Sequence, residues 1–289
     1  MFQNTRISMS KGGDSQLSKD AECADMVYGV DILEESIRTL DVGLLNIMLF
    51  DRTTRKNILW ATDDYVSFGG GFEMFSEITS DLITGRYATL IQPRTTKSKS
   101  TQTGRTRDKA EVFTPSWICN KQNNLIDTQW FGRPGVFNIE GETSWITSSE
   151  AISFSGVKKD WKKYVDAQRL EVSCGEAPYL VSRYDTVTGE KIPLYQRIGL
   201  LDRKMRIVQE NAKTPEDWLI WAQRAFESVY GFEYQGDNLL LARENLLYSY
   251  IEYYQAKFDR MPGTRLLRKI ARIISWNIWQ MDGLKYIVP

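Results

Sequence analysis

The stretch that most constrains the fold is Leu170-Glu-Val-Ser-Cys-Gly-Glu-Ala-Pro-Tyr-Leu180. Leu170 and Val172 are apolar residues at strand spacing, and Cys174, Gly175 and Ala177 are small enough to let backbone approach a ligand. Pro178 suits a first helical position. The pattern predicts a strand, a tight turn and the start of a helix, the device by which an α/β sheet builds a nucleotide-cofactor pocket at the carboxyl end of a strand. An ordinary strand-to-helix turn has the same local composition.

Charge and composition narrow the chemistry. Lysine plus arginine and aspartate plus glutamate are 37 each in 289 residues, so the net charge is zero. Affinity for nucleic acid must then come from local patches. Histidine is absent, which excludes Ser-His-Asp and Cys-His nucleophile pairs and removes the commonest zinc ligand. Cys23, Cys119 and Cys174 are widely spaced and form no Cys-x-x-Cys pair, so neither a disulfide framework nor a thiolate metal site is expected. Group transfer from an activated donor remains open, because positioning alone supplies much of its rate. No apolar run reaches the ~20 residues of a membrane span, and a cytoplasmic protein is expected.

In chain order, residues 1 to about 25 read as a loose terminus. Ile32, Leu33, Ile37 and Leu40 share a helical face, and residues 43–50 read as a buried strand followed by a second strand or hairpin at Asn57-Ile-Leu-Trp-Ala. Gly69, Gly70 and Gly71 lack a following Gly-Lys-Ser/Thr and predict a loop. Residues 94–107 hold five cations (Arg94, Lys97, Lys99, Arg105, Arg107) and no large apolar residue. They read as a basic linker closing an N-terminal α+β accessory region, with phosphate contact as the functional alternative.

Thr114 and Pro115 then open a helix running to about Asp127. Phe113 beside its free N-terminal amides would make a site for a small anionic group with an apolar side. Trp130, Trp145 and Trp161 mark an irregular connection, and a helical insertion is expected at about 183–228. It contains a helix over Leu200–Asn211 and another capped by Thr214-Pro-Glu-Asp. Val229-Tyr-Gly-Phe-Glu reads as a strand ending in an acid, and Asp237 as the cap of a long helix to Phe258. A carboxylate at that place, Glu233, is where a ribose diol is usually held. Arg260 to Arg272, including Arg265, Arg268 and Lys269, reads as a basic amphipathic helix facing solvent, a partner or phosphate. Asn277-Ile-Trp-Gln-Met-Asp-Gly reads as a strand ending at Asp282.

Four of these pieces, in this order, resemble the amino-methylating DNA methyltransferases, specifically the N6-adenine enzymes of restriction-modification systems. Lys109-Ala-Glu-Val-Phe-Thr-Pro is similar to their Phe/Tyr-Thr-Pro motif beside the methionine end of S-adenosylmethionine. Glu171-Val-Ser-Cys-Gly-Glu-Ala resembles their Asp-Pro-Ala-Cys-Gly-Ser-Gly turn. Tyr230-Gly-Phe-Glu with Leu241-Ala-Arg-Glu-Asn resembles their ribose-binding strand and helix. The Asp282 segment is similar to the one that contacts the cofactor adenine.

The resemblance covers residues 107–289. It implies an α/β Rossmann-like methyltransferase fold, with S-adenosylmethionine held by Phe113, Thr114, Pro115, Glu171, Cys174, Gly175, Glu233 and Asp282. It also implies double-stranded DNA as partner, with Arg94, Lys97, Lys99, Arg105, Arg107, Arg265, Arg268 and Lys269 as phosphate contacts and no metal. Val172, Glu176 and Ala177 replace the family's proline, serine and second glycine, and the charge of Glu176 is expected to weaken cofactor binding. The catalytic Asn/Asp/Ser-Pro-Pro-Tyr/Phe, which receives a flipped base, is absent: no two of the eight prolines are adjacent. The expected fold therefore stops before its catalytic loop, and a partner subunit would supply the catalytic or specificity part. A non-catalytic module binding DNA, a partner or a nucleotide is the rival. A nicotinamide-dinucleotide enzyme fits less well, because Gly-x-Gly-x-x-Gly is missing and the acid lies much further on than the usual ~20 residues.

Overall fold

Val229–Glu233, the central strand of a three-stranded parallel sheet, carries the chain's mixed α/β fold. A computed structural model describes residues 33–109, 113–157 and 160–289. In chain order the described elements are helices α1 (Glu34–Leu40), α2 (Leu44–Leu49), α3 (Lys99–Lys109) and α4 (Ser116–Phe131), then hairpin strands β1 (Asn138–Glu140) and β2 (Trp145–Thr147). Helix α5 (Trp161–Asp166) and strand β3 (Arg169–Val172) lead to α6 (Leu200–Asn211), α7 (Pro215–Glu227) and β4 (Val229–Glu233). Helices α8 (Gly236–Phe258) and α9 (Thr264–Asn277) precede β5 (Ile278–Gln280). The sheet order is β3-β4-β5, with Glu171 opposite Gly231 and Gly231 opposite Ile278.

The two faces of this sheet differ. Glu171, Gly231, Glu233, Ile278 and Gln280 point inward and are buried, whereas Leu170 and Val172 are 51% and 44% exposed, with Tyr230, Phe232 and Trp279 partly exposed in the same rows. The apolar alternation of β3 thus marks the open face, the reverse of what the spacing suggests. The reason is local. Glu171 is needed inside, where its carboxylate accepts the backbone N–H of Tyr179 (3.3 Å) and Leu180 (3.2 Å) and closes the following turn.

Several local expectations are corrected. Residues 44–49 form helix α2 rather than a strand; a short buried apolar run fits either, and Asp41, accepting the Gly43 N–H at 2.8 Å, starts the helix. Asn57 and Leu59 make only isolated bridges, to Phe50 and Glu77. No helix begins at Pro178: residues 175–180 are turns, with Ala177 at φ +63°. Helix α4 is capped by Asp185, which accepts the Ser116 N–H at 2.7 Å, and not by Thr114. Residues 94–107 are no linker: a 3-10 turn at Arg94–Thr96 and helix α3 lie against the sheet domain. The expected loose terminus, Ile32 and residues 110–112 lie outside the described residues.

Helices α6 and α7 start as their sequences predict, α7 with Thr214 accepting the Asp217 N–H. One hydrophobic core runs from Ile37 in α1 through Trp60 and Ile78 to Ile278, so the N-terminal region shares the core of the sheet. Its seam is tight: Gln280 donates to and accepts from the backbone of Leu59 (2.7 and 2.8 Å), and the Gly236 N–H donates to Trp60 O at 2.8 Å. A Cβ on Gly236 would lie 2.0 Å from Leu59 O, which is backbone and cannot swing away. Gly236→Ala is therefore expected to cost about 1–3 kcal/mol, measured by urea unfolding; a change under about 0.5 kcal/mol would show that the seam is slack. Among the described residues no helix is long and apolar enough to cross a membrane.

Candidate functional site

Parallel strands leave their last backbone groups and the following turns at one edge, which is where open α/β sheets place ligands. Here the turns after β3, β4 and β5 meet. Ser173, Gly175 and Ala177 all have positive φ (+54°, +53° and +63°), so the chain after β3 folds tightly across the strand ends. The Gly175 N–H donates to Glu233 Oε2 at 2.8 Å, linking the turn after β3 to the end of β4. Glu233 Oε1 accepts the Gln235 N–H at 3.0 Å, and the Glu233 carbonyl accepts the Met281 N–H at 3.0 Å, linking β4 to β5. Gly283 lies against β3, where an added Cβ would stand 2.5 Å from Val172 Cγ1 and 3.4 Å from Ser173 N.

The first motif arrives from the opposite side. Phe113, buried, sits with its ring edge 3.5–3.6 Å from the Cβ position of Gly175, and among the described residues, the two chain neighbours aside, no other lies within 4 Å of that position. The Arg94 guanidinium is 5.2 Å from the Phe113 ring centroid. Pro115 and Ser116 also line an adjoining cavity of about 470 Å³ with Trp117, Trp145, Asp185 and Glu190. Phe113, Glu171, Cys174, Gly175, Glu233 and the Asp282-Gly283 turn are thus assembled around one sheet edge, with Thr114 and Pro115 following Phe113 into α4.

The individual groups also have partners within the chain. Burial pushes the Glu171 carboxyl well above the usual carboxylate range, against the two N–H bonds it accepts and with Glu233 adding to the rise. Burial likewise pushes the Cys174 thiol up, so this cysteine packs and is no thiolate nucleophile. Asp282 Oδ1 accepts the N–H groups of Leu284 (2.9 Å) and Lys285 (3.0 Å), and these bonds hold its carboxyl below the ordinary range. Thr114 contributes its carbonyl, which accepts from Thr186 Oγ1 at 3.1 Å. The first N-terminal amide of α4, that of Ser116, is taken by Asp185. Glu176 does not project charge at a ligand: 1% exposed, it accepts the Arg94 N–H (2.7 Å) and the Tyr184 hydroxyl (2.6 Å).

The basic residues separate into three groups. Arg105, 3% exposed, donates to Asp64 (2.6 Å) and Asp237 (3.2 Å) and to Gln235, and Lys97 pairs with Asp237 at 3.5 Å. Both are enclosed and do not reach a phosphate. Lys99 and Arg107 are exposed. Arg265, Arg268 and Lys269 are exposed on α9, with Arg268 paired to Asp41 at 2.8 Å. Arg243, about two turns into α8, already donates to the Ile278 carbonyl at the amino end of β5. The rest of α8 therefore runs beyond that edge, and α9 returns from there, so its basic residues lie away from the carboxyl edge.

Sequence reasoning missed Asp237 as an anchor for Lys97 and Arg105, and it missed the inward turn of Glu176. The only available signal was the order of residues, five cations in one stretch and two acids in others, which does not reveal pairing. The chain matches no protein-family model, no curated protein and no solved structure.

Proposed function

We propose that the carboxyl edge of the sheet binds S-adenosylmethionine and that the chain is the cofactor-binding part of a DNA adenine N6-methyltransferase or modification subunit, acting on double-stranded DNA in the cytoplasm within a Rossmann-like methyltransferase fold. The observation that carries this reading is that the four segments resembling that family, separated by up to about 170 residues, meet at one edge through the Phe113–Gly175 contact, the Gly175–Glu233 bond and the packing of Gly283 on Val172. Glu233 would hold the ribose, Phe113 the methionine end and the Asp282 turn the adenine. Gly175 keeps the space between them clear. The open apolar face of Leu170, Val172, Phe232 and Trp279 supports a partner subunit that completes the molecule, since parallel sheets are ordinarily covered on both faces.

The test is calorimetric titration of the full chain with S-adenosylmethionine beside a tritiated-methyl assay on unmethylated duplex. One-to-one binding without methyl transfer is expected. Glu233→Ala should weaken binding by about tenfold or more, because charge-assisted bonds to a ribose diol contribute about 1.5–3 kcal/mol each. Absence of binding at millimolar cofactor would leave the non-catalytic module, and transfer by the chain alone would place a divergent catalytic loop within it.

A further inference from the structure

We infer that residues 94–105 are a brace for the cofactor pocket, in which Arg94, Lys97 and Arg105 are positioning residues for the ligand rather than contacts to DNA; this rests on the S-adenosylmethionine reading of the site. Two independent sets of contacts carry it, one on each wall of the site.

On the first wall, Arg94 places its guanidinium 5.2 Å from the Phe113 ring centroid, and its backbone N–H donates to Glu176 Oε1 at 2.7 Å. Glu176 is the residue after Gly175, and its second oxygen accepts from Tyr184. One residue therefore fixes both the aromatic ring and the turn that face each other across the Gly175 position. On the second wall, Arg105 donates to the side chain of Gln235 and to Asp237 Oδ1 (3.2 Å). Gln235 gives its own N–H to Glu233, the acid proposed to hold the ribose. Asp237 also accepts from Tyr65 at 2.8 Å and pairs with Lys97 at 3.5 Å. The polar connection runs from Asp64 through Arg105 and Gln235 to Glu233, and from Glu233 to Gly175. Arg94, Lys97 and Arg105 lie outside the 4 Å around the Gly175 Cβ position that Phe113 enters.

The chemistry explains why cations sit here in a chain of zero net charge. A carboxylate buried as deeply as Asp237 requires a charged partner. Placing that partner on a segment that also grips Phe113 makes the two walls move together. A ligand touching Phe113 and Glu233 then meets walls already held in place and avoids part of the cost of ordering them.

The experiment compares the parent chain with Lys97→Met and Arg94→Ala, both milder than removal of Arg105, by three measurements: titration with S-adenosylmethionine, thermal unfolding, and binding to a non-specific DNA duplex at low salt. Each variant is expected to weaken cofactor binding by about tenfold while unfolding cooperatively and binding duplex as the parent does. Arg94→Lys should restore affinity in part: both variants keep the backbone N–H to Glu176, and lysine alone returns a cation near Phe113. Variants that bind cofactor like the parent, with or without weaker duplex binding, overturn the brace alone. A parent that binds no cofactor overturns the site assignment and the brace with it.

Discussion

Asp237→Ala is expected to destabilise the fold by about 3–5 kcal/mol, the cost of leaving a buried cation without its counter-charge. Asp237 is fully buried and receives Arg105, Tyr65 and Lys97 together, so its loss leaves the enclosed Lys97 ammonium without its acid and the Arg105 guanidinium with Asp64 as its carboxylate partner. Burial pushes the Asp237 carboxyl up, but the charges of Arg105 and Lys97 and the bonds from Arg105 and Tyr65 outweigh it and hold the group well below the ordinary aspartate range. The sign of the pH effect follows. A folded-state pKa below the unfolded one means that the unfolded chain binds more protons. The stabilisation is therefore complete above about pH 4 and is lost as pH falls from there toward the folded pKa. The parent should lose stability over that acid range, and Asp237→Ala should lose less over the same range. Urea unfolding at neutral and acid pH measures both. A loss under about 1 kcal/mol at neutral pH would contradict the buried-anchor account. Lys97→Met with Asp237→Leu should recover part of the loss, since Arg105 keeps Asp64 and no enclosed ammonium is left without its acid.

The second large effect is on the ligand. Gly175→Val should reduce S-adenosylmethionine affinity by at least about a hundredfold. The Gly175 backbone has φ +53°, a region a β-branched residue adopts only under a strain of about 1–2 kcal/mol. The substituent would also press on Phe113, whose ring edge is 3.5–3.6 Å from the Cβ position. The contact at Cβ itself is ordinary, so alanine should fold with a modest loss and bind with intermediate affinity, while the branched methyls of valine obstruct the ligand. Calorimetry on the three proteins, each first shown to melt cooperatively, separates strain from obstruction. Valine binding within about threefold of the parent would place the ligand elsewhere.

What was legible in the sequence was mostly local. Thr214-Pro-Glu-Asp marks the start of α7 because an N-cap hydroxyl and a first-turn proline act within four residues. The strand ending at Glu233 and the long helix after it were also readable, although that helix is buried nearly all round and Asp237 lies inside its first turn, with Gln235 and not Asp237 at the cap position. The failures share a cause, which is that the partner was distant in sequence. Thr114 reads as a cap, yet Asp185, from a hairpin 69 residues on, takes the amide. Residues 94–107 read as a solvated linker because their counter-charges, Asp64 and Asp237, lie 41 and 132 residues from Arg105. Glu176 reads as a charge aimed at a ligand, but Arg94, 82 residues earlier, turns it inward. Leu170 and Val172 misled for a different reason: alternation identifies two faces of a strand but does not say which is covered, and Glu171 was the residue required inside. Of the candidate site, the sequence offers candidates that the structure brings to one sheet edge; their bonds to one another were not legible.

The central claim is that one sheet edge is the cofactor site, and amide hydrogen exchange of the full chain with and without saturating S-adenosylmethionine tests it most directly. The account predicts slowed exchange in three segments together, 173–177, 233–238 and 281–283, with α9 unchanged. Protection absent from these segments, or confined to the larger cavity of about 730 Å³ lined by Tyr195, Arg206 and Tyr253, would contradict it.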